Sequence, residues 1–267
     1  MHPSHHDQPY WRQQSPDKPL FPDIEWNKPE RRDQAGRLAI IGGNKLGFAG
    51  VAEAYTVVST AGVGETRVLL PDALRKTIPR TITDTIFAPT NPSGSLSRDA
   101  LNDMRALGQW AGGVVLIGDA GRNSETALVY DDFIRDYTGQ LTITRDAIDL
   151  VKNNASLLVE RPDTLVVASF AQVQKLFQSV YYPKILTFSM HLGQLVEALH
   201  KFTITYPVHI VTLHRDTLII ASEGSVVTQA WDSPMMIWRG TTAARAAGYW
   251  LWNPGQPLEA IASSIAS

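Results

Sequence analysis

The stretch that most constrains the fold is residues 37–71, RLAIIGGNKLGFAGVAEAYTVVSTAGVGETRVLLP. Leu38 to Ile41 is a short apolar run, the pattern of a strand buried on both faces of a parallel sheet. Gly42, Gly43, Gly47 and Gly50 follow within nine residues. Backbone without a Cβ can come close to a ligand or to another chain segment. Val51 to Ala61 is alanine-rich and helical in pattern. Its first N–H groups point back at the turn and favour an anion there. Gly62-Val63-Gly64 ends the helix, and Thr66 to Leu70 is a second strand closed by Pro71. The result is a βαβ unit with a candidate ligand cradle at its first turn. The spacing matches neither GxxxxGK[ST] nor GxGxxG. A tight turn that only packs helix on strand is therefore the competing reading.

Strand-like and helix-like stretches alternate through the rest of the chain. The patterns predict a short helix over 72–78, a strand over 84–88, and a helix from an N-cap at Ser97 through Trp110. Gly113 to Ile117 is a strongly apolar strand, followed by the turn Gly118-Asp119-Ala120-Gly121. Helices are predicted over 124–137, 146–152, 171–180 and 184–201, and strands over 140–144 and 164–168. Strands over 208–213, 217–221 and 226–229 are separated by tight turns, and helices over 241–251 and 258–265 finish the chain. Such alternation implies a mainly parallel sheet with helices on both faces and antiparallel strands at one edge, a three-layer α/β/α sandwich. Ligands of these sheets bind outside the carboxyl ends of the strands. Both glycine turns, 42–50 and 118–121, fall there.

Residues 1–36 differ from the rest, with many prolines and polar residues and no apolar periodicity. They are expected to be an extended arm outside the sheet, anchored where Tyr10, Trp11, Phe21 and Trp26 find a surface, with a single domain over 37–267. His2, His5 and His6 suggest a metal grip, but three histidines without a scaffold read better as a solvated tail. With 44% apolar and 19% charged residues, most of the chain should fold. A net charge of −2 gives no general attraction to nucleic acid or anionic lipid. The chain has no cysteine, so disulfide and thiolate chemistry is excluded. The polar N-terminus and the lack of a long apolar run point to a cytoplasmic protein that does not enter a membrane.

Several segments keep a recognisable order: Gly36-Arg37, Ile41-Gly42-Gly43-Asn44, Gly47-Phe48-Ala49-Gly50, Gly62-Val63-Gly64 with Pro71, Gly118-Asp119-Ala120-Gly121-Arg122, and Thr144 through Val151. Val167 through Leu176, Thr212 through Thr217 and Ser233 through Ala243 continue it. From about Gly36 to the C-terminus this order resembles the ribokinase-like superfamily, and within it the ADP- or ATP-dependent NAD(P)H-hydrate dehydratases. The resemblance implies ADP or ATP and NAD(P)H as ligands. It places binding positions at Gly42, Gly43, Asn44, Gly47, Gly50, Gly118, Gly121, Asp146, Thr217, Gly240 and Thr241.

The chemical positions depart from that family. Its LKGxxT lysine is Leu213, and the Pro, His and Glu of its TPHPGEF segment are Ala168, Ser169 and Gln172. Its GTGD turn reads Gly240-Thr241-Thr242-Ala243, so the catalytic aspartate is an alanine. A general base contributes typically about 10²–10⁴-fold, and alanine cannot replace it. Thr242 also adds a Cβ to a turn whose backbone donors would face the transferred group. Asp119, Asp146, Asp216 and Asp232 are candidate substitutes. Asp119 is the best placed, although an Asp in a turn commonly bonds its own backbone. His191, His200, His209 and His214 lack metal spacing and read as structural. Arg239 and Arg245 suit a phosphate or surface pairing, and Trp238, Trp250 and Trp252 suit base stacking or packing.

The expected protein is thus a divergent ribokinase-like chain, impaired in catalysis, that binds a nucleotide, another small molecule or a partner and forms a homo-oligomer. An active dehydratase or kinase with a relocated base, and an assembly protein without a ligand, are the alternatives.

Overall fold

In the computed structural model, which describes residues 8–267, the periodicity of the first strand sets the layers. Within β2 (Arg37–Gly42), Leu38 and Ile40 face one side of the sheet, and Ala39 and Ile41 the other. The other strands are β1 (Trp11–Gln14), β3 (Glu65–Pro71), β4 (Thr85–Ala88), β5 (Gly113–Gly118), β6 (Gln140–Thr144), β7 (Thr164–Ser169), β8 (Val208–His214), β9 (Thr217–Ser222) and β10 (Ser225–Ala230). They form one sheet in the order β1-β10-β9-β8-β7-β6-β5-β2-β3-β4. From β4 to β8 every neighbouring pair is parallel; β9 is antiparallel to both β8 and β10.

The helices are α1 (Ala49–Ala61), α2 (Leu101–Trp110), α3 (Ser124–Asp136), α4 (Asp146–Leu150), α5 (Ser156–Val159), α6 (Phe170–Ser179), α7 (Leu192–Thr205), α8 (Pro234–Arg239), α9 (Thr241–Trp252) and α10 (Pro257–Ala266). Helices α1, α8, α9 and α10 cover one face, and α2 to α7 the other, giving the three layers expected. Local chemistry fixes several ends. Asn123 caps α3 by accepting from the N–H groups of Glu125 and Thr126. Ser169 and Gln172 form a capping box at α6. Gly62 closes α1 at φ 98°. No helix of the described residues is long and apolar enough to cross a membrane.

Four local expectations are corrected. The arm does not stay outside the sheet: β1 pairs in parallel with β10. Trp11 is buried there and donates from Nε1 to Thr228 Oγ1 at 2.9 Å, while Gln14 Nε2 donates to Gln229 Oε1 at 2.9 Å. The open edge of β10 supplies the backbone partners that the arm's composition does not reveal. Trp26, in contrast, is exposed, and the histidines at 2, 5 and 6 lie outside the described residues. The helix predicted over 184–201 begins only at Leu192. Gln194 accepts the N–H of His191 and fixes that start, while Leu186 and Met190 are buried from irregular chain. Over 72–78 a single 3-10 turn, Asp72–Leu74, replaces the helix. Ser97 makes no side-chain cap; the carboxylate of Glu125 instead accepts the N–H of Arg98 at 2.8 Å.

His209 lies on β8, buried edge-on against Trp250, with Nδ1 2.7 Å from Ser222 Oγ. Burial lowers it from the ordinary 6.5 to about 4. Between those values the unfolded chain binds a proton that the folded chain refuses. Stability from this group is therefore full above pH 6.5 and declines as pH falls to about 4. The loss should reach about 3 kcal/mol. Urea unfolding followed from pH 7.5 to 4.5 should show it, and His209→Asn should flatten that part of the profile. The role of β1 is tested in the same way: Trp11→Ala should cost about 3 kcal/mol, and a chain starting at Gln34 should be markedly less stable.

Candidate functional site

The chain leaves β2 for β3 and β4 on one side and later returns to β5, β6, β7 and β8 on the other. The sheet order thus reverses between β2 and β5, the kind of switch point at which open α/β sheets bind ligands. Both glycine turns lie at its carboxyl edge. The N–H of Gly43 donates to the carbonyl of Gly118 at 2.9 Å and ties the two turns together. Gly43, at φ 81°, has the Leu70 side chain where a Cβ would stand. Asn44 and Gly47 exchange two backbone hydrogen bonds, and Asn44 Nδ2 donates to Ser95 Oγ at 3.1 Å.

The turn after β5 is filled from within. One carboxylate oxygen of Asp146 accepts the N–H of Asp119 at 2.7 Å; the other accepts those of Ala120 and Gly121 at 3.1 and 3.2 Å. These are the donors that such a turn offers to an anion. Asp119 itself sits at φ 54°. Its Oδ2 accepts the N–H of Gly50, in the first turn of α1, at 2.7 Å. Its Oδ1 accepts from Arg145 Nη2 at 2.5 Å, and Nη1 lies 3.4 Å from both Asp119 Oδ2 and the carbonyl oxygen of Arg239. Behind the turn, the buried Tyr130 hydroxyl has no hydrogen-bond partner, and burial with the nearby Asp146 and Asp119 charges holds it well above the usual phenol range.

Arg145 is therefore the centre of the edge, and it was not singled out from sequence. The available signal was a cation directly after a strand and beside Asp146. The structure brings Gly42, Gly43, Asn44, Gly50, Gly118, Asp119, Gly121, Asp146 and Gly240 into this neighbourhood. Gly47 has open space around it, and the Thr241 hydroxyl donates to the carbonyl of Met236. Thr217 stands apart. It starts β9, five strands from β2, or about 24 Å at the usual strand spacing, and bonds Asp216.

Beside Arg145 a cleft of ≈ 300 Å³ opens over the ends of β6 and β7; Asp149, Gln172, Lys175 and Trp238 help to line it. Gln172 holds its floor by donating to the carbonyl of Arg145 and to Asp149. Of the three tryptophans singled out, only Trp238 is well exposed. Trp250 is core, and Trp252 Nε1 donates to the carbonyl of Ala35. Arg245 pairs with Ser267, and Asp232 with Ser233, rather than with any group of this edge. Thr242 and Ala243 are buried at the start of α9, and Ala243 packs with Leu165 and Val167 of β7 in one core cluster.

A Cβ added at Gly50 would come within 1.8 Å of Arg145 Nη1. Gly50→Ala should therefore displace the guanidinium from Asp119 and cost about 1 kcal/mol in urea unfolding, the scale of the lost pair. Arg145→Ala should relieve much of that cost, so a double-mutant cycle should show coupling of nearly that size.

No protein-family model matches the chain, and no curated protein sequence matches it significantly. Its likeness is to solved structures. A ribokinase-like superfamily protein from Enterococcus faecalis V583 superposes with a TM-score of 0.75 at 14% identity, covering 97% of this chain and 87% of that one. An ADP/ATP-dependent NAD(P)H-hydrate dehydratase from Bacillus subtilis, co-crystallised with ATP and Mg²⁺, gives a TM-score of 0.61 at 12% identity, covering 91% and 83%. A phosphomethylpyrimidine kinase from Clostridium difficile 630 gives 0.55 at 12% identity, covering 85% and 96%. With its mainly parallel sheet between two helical layers and these neighbours over most of its length, the chain has the ribokinase-like fold.

Proposed function

We propose that this chain binds a nucleotide or another small ligand at the carboxyl edge of its sheet, performs neither phosphoryl transfer nor hydrate dehydration, and acts as a homo-oligomer. The observation that carries this reading is Ala243. Where the resemblance calls for a catalytic aspartate, a methyl group is fully buried among strand side chains. That methyl group offers no proton acceptor, and the preceding Thr242 is buried as well. The switch-point donors support the same reading, because Asp119 and Asp146 already use them. Asp119, the candidate relocated base, has both oxygens engaged by Arg145 and Gly50 in this structure. The cleft beside Arg145 lies at the same carboxyl edge.

Purified protein is expected to give no turnover of hydrated NAD(P)H with ATP or ADP. Ala243→Asp should restore none and should destabilise by about 3 kcal/mol, because it places a carboxylate in packed core. Ala243→Asp with Thr242→Gly and Leu213→Lys is the fairer attempt at rescue. A nucleotide panel read by thermal unfolding tests binding: a ligand at one hundred times its Kd stabilises by about 2.7 kcal/mol. Turnover by the unmodified chain that Asp119→Ala abolishes would overturn the reading. A panel without a shift would favour the assembly protein without a ligand.

A further inference from the structure

The chain departs from ordinary backbone geometry to place one guanidinium. Arg145 follows β6 at φ 58° and ψ −142°, and its partner Asp119 sits at φ 54°. Residues with a Cβ hold such conformations only where the surroundings over-determine them. One glycine clears the path of the side chain: a Cβ at Gly50 would come within 1.8 Å of Nη1 and 2.9 Å of Cζ. The guanidinium reaches the switch point between β2 and β5, and Arg145 also lines the cleft over β6 and β7. Its planar fork suits a carboxylate or a phosphoryl group, and what it holds is a carboxylate of the chain itself. The pair is not sealed: the two side chains keep 22% and 19% of their exposure.

We propose that Arg145 binds an anionic oxygen group of the ligand, phosphoryl or carboxylate, and that Asp119 is a tethered competitor that swings off Arg145 and the Gly50 N–H when that group enters. The inference rests on the proposed ligand-binding reading of this edge. The neighbouring carboxylates are not equivalent to Asp119. Asp146 holds three backbone N–H groups that keep the 118–121 turn in shape. Asp149 accepts from Gln172 and lies 3.9 Å from Lys175 Nζ. The Asp119 carboxylate is held by one side chain and one N–H of the first turn of α1. Its release breaks no bond of a helix or strand ladder. The guanidinium keeps an anionic partner through the exchange, while the Asp119 carboxylate, already 19% exposed, turns to solvent.

The test is calorimetric titration of the full chain with inorganic pyrophosphate and, separately, malonate. Asp119→Asn keeps the side-chain shape and tolerates positive φ, but it removes the competing charge. It should bind one of the probes at least ten times more tightly than the unmodified chain, and the probe that gains identifies the group as phosphoryl or carboxylate. Adding Arg145→Gln should remove that binding. Equal affinity of Asp119→Asn and the unmodified chain, or binding that survives Arg145→Gln, overturns the proposal. If Asp119→Asn does not fold, the unmodified chain at millimolar probe decides: binding must appear and must be lost in Arg145→Gln. A nucleotide-induced rise in Tm that survives Arg145→Gln would remove the role of Arg145 and leave the ligand-binding reading standing.

Discussion

One carboxylate holds the carboxyl edge together. Asp146 accepts three consecutive N–H groups from the 118–121 turn. A neutral side chain would leave part of that demand unmet, and buried donors without partners are costly. With the turn fixed, Asp119 is held at a positive φ and directed toward Arg145 and the start of α1. The glycine at 50 then follows from the space that Arg145 needs, whereas Gly240 is set by its φ of 86° and by the Ile117 side chain. The edge is best understood as one network rather than as a set of separate ligand positions.

That network also separates fold from chemistry. Neighbours at 12–14% identity share the layered sheet over most of the chain, because a parallel sheet between helices needs only apolar strands, helix stripes and turns of suitable length. Catalysis needs particular groups in particular places. Here α9 buries Thr242, Ala243 and Ala244 against the sheet. The small residues let the helix approach the sheet closely.

Local pattern carried most of the architecture. The central strands and α1, α3, α6, α9 and α10 fall within a few residues of where periodicity and punctuation put them. The failures share a cause. β1 is strand because β10 offers an unpaired edge more than 200 residues later, with contacts such as Trp11 to Thr228 spanning 217 positions. The start of α7 is decided by Gln194 reaching back to His191 against a competing apolar pattern upstream. Ser97 has the right identity for a cap, but Glu125 from another helix takes the role.

The sequence by itself determined the layers and the position of the glycine turns at the strand ends, because each depends on residue identity or on contacts a few positions apart. Only the tertiary structure decided what occupies the edge. The bond from Gly50 to Asp119 spans 69 positions, and the pair of Arg145 with Asp119 spans 26. No periodicity encodes those distances. They arise from the reversal of strand order between β2 and β5, which brings the ends of separate βα units to one point and leaves their charges to satisfy one another.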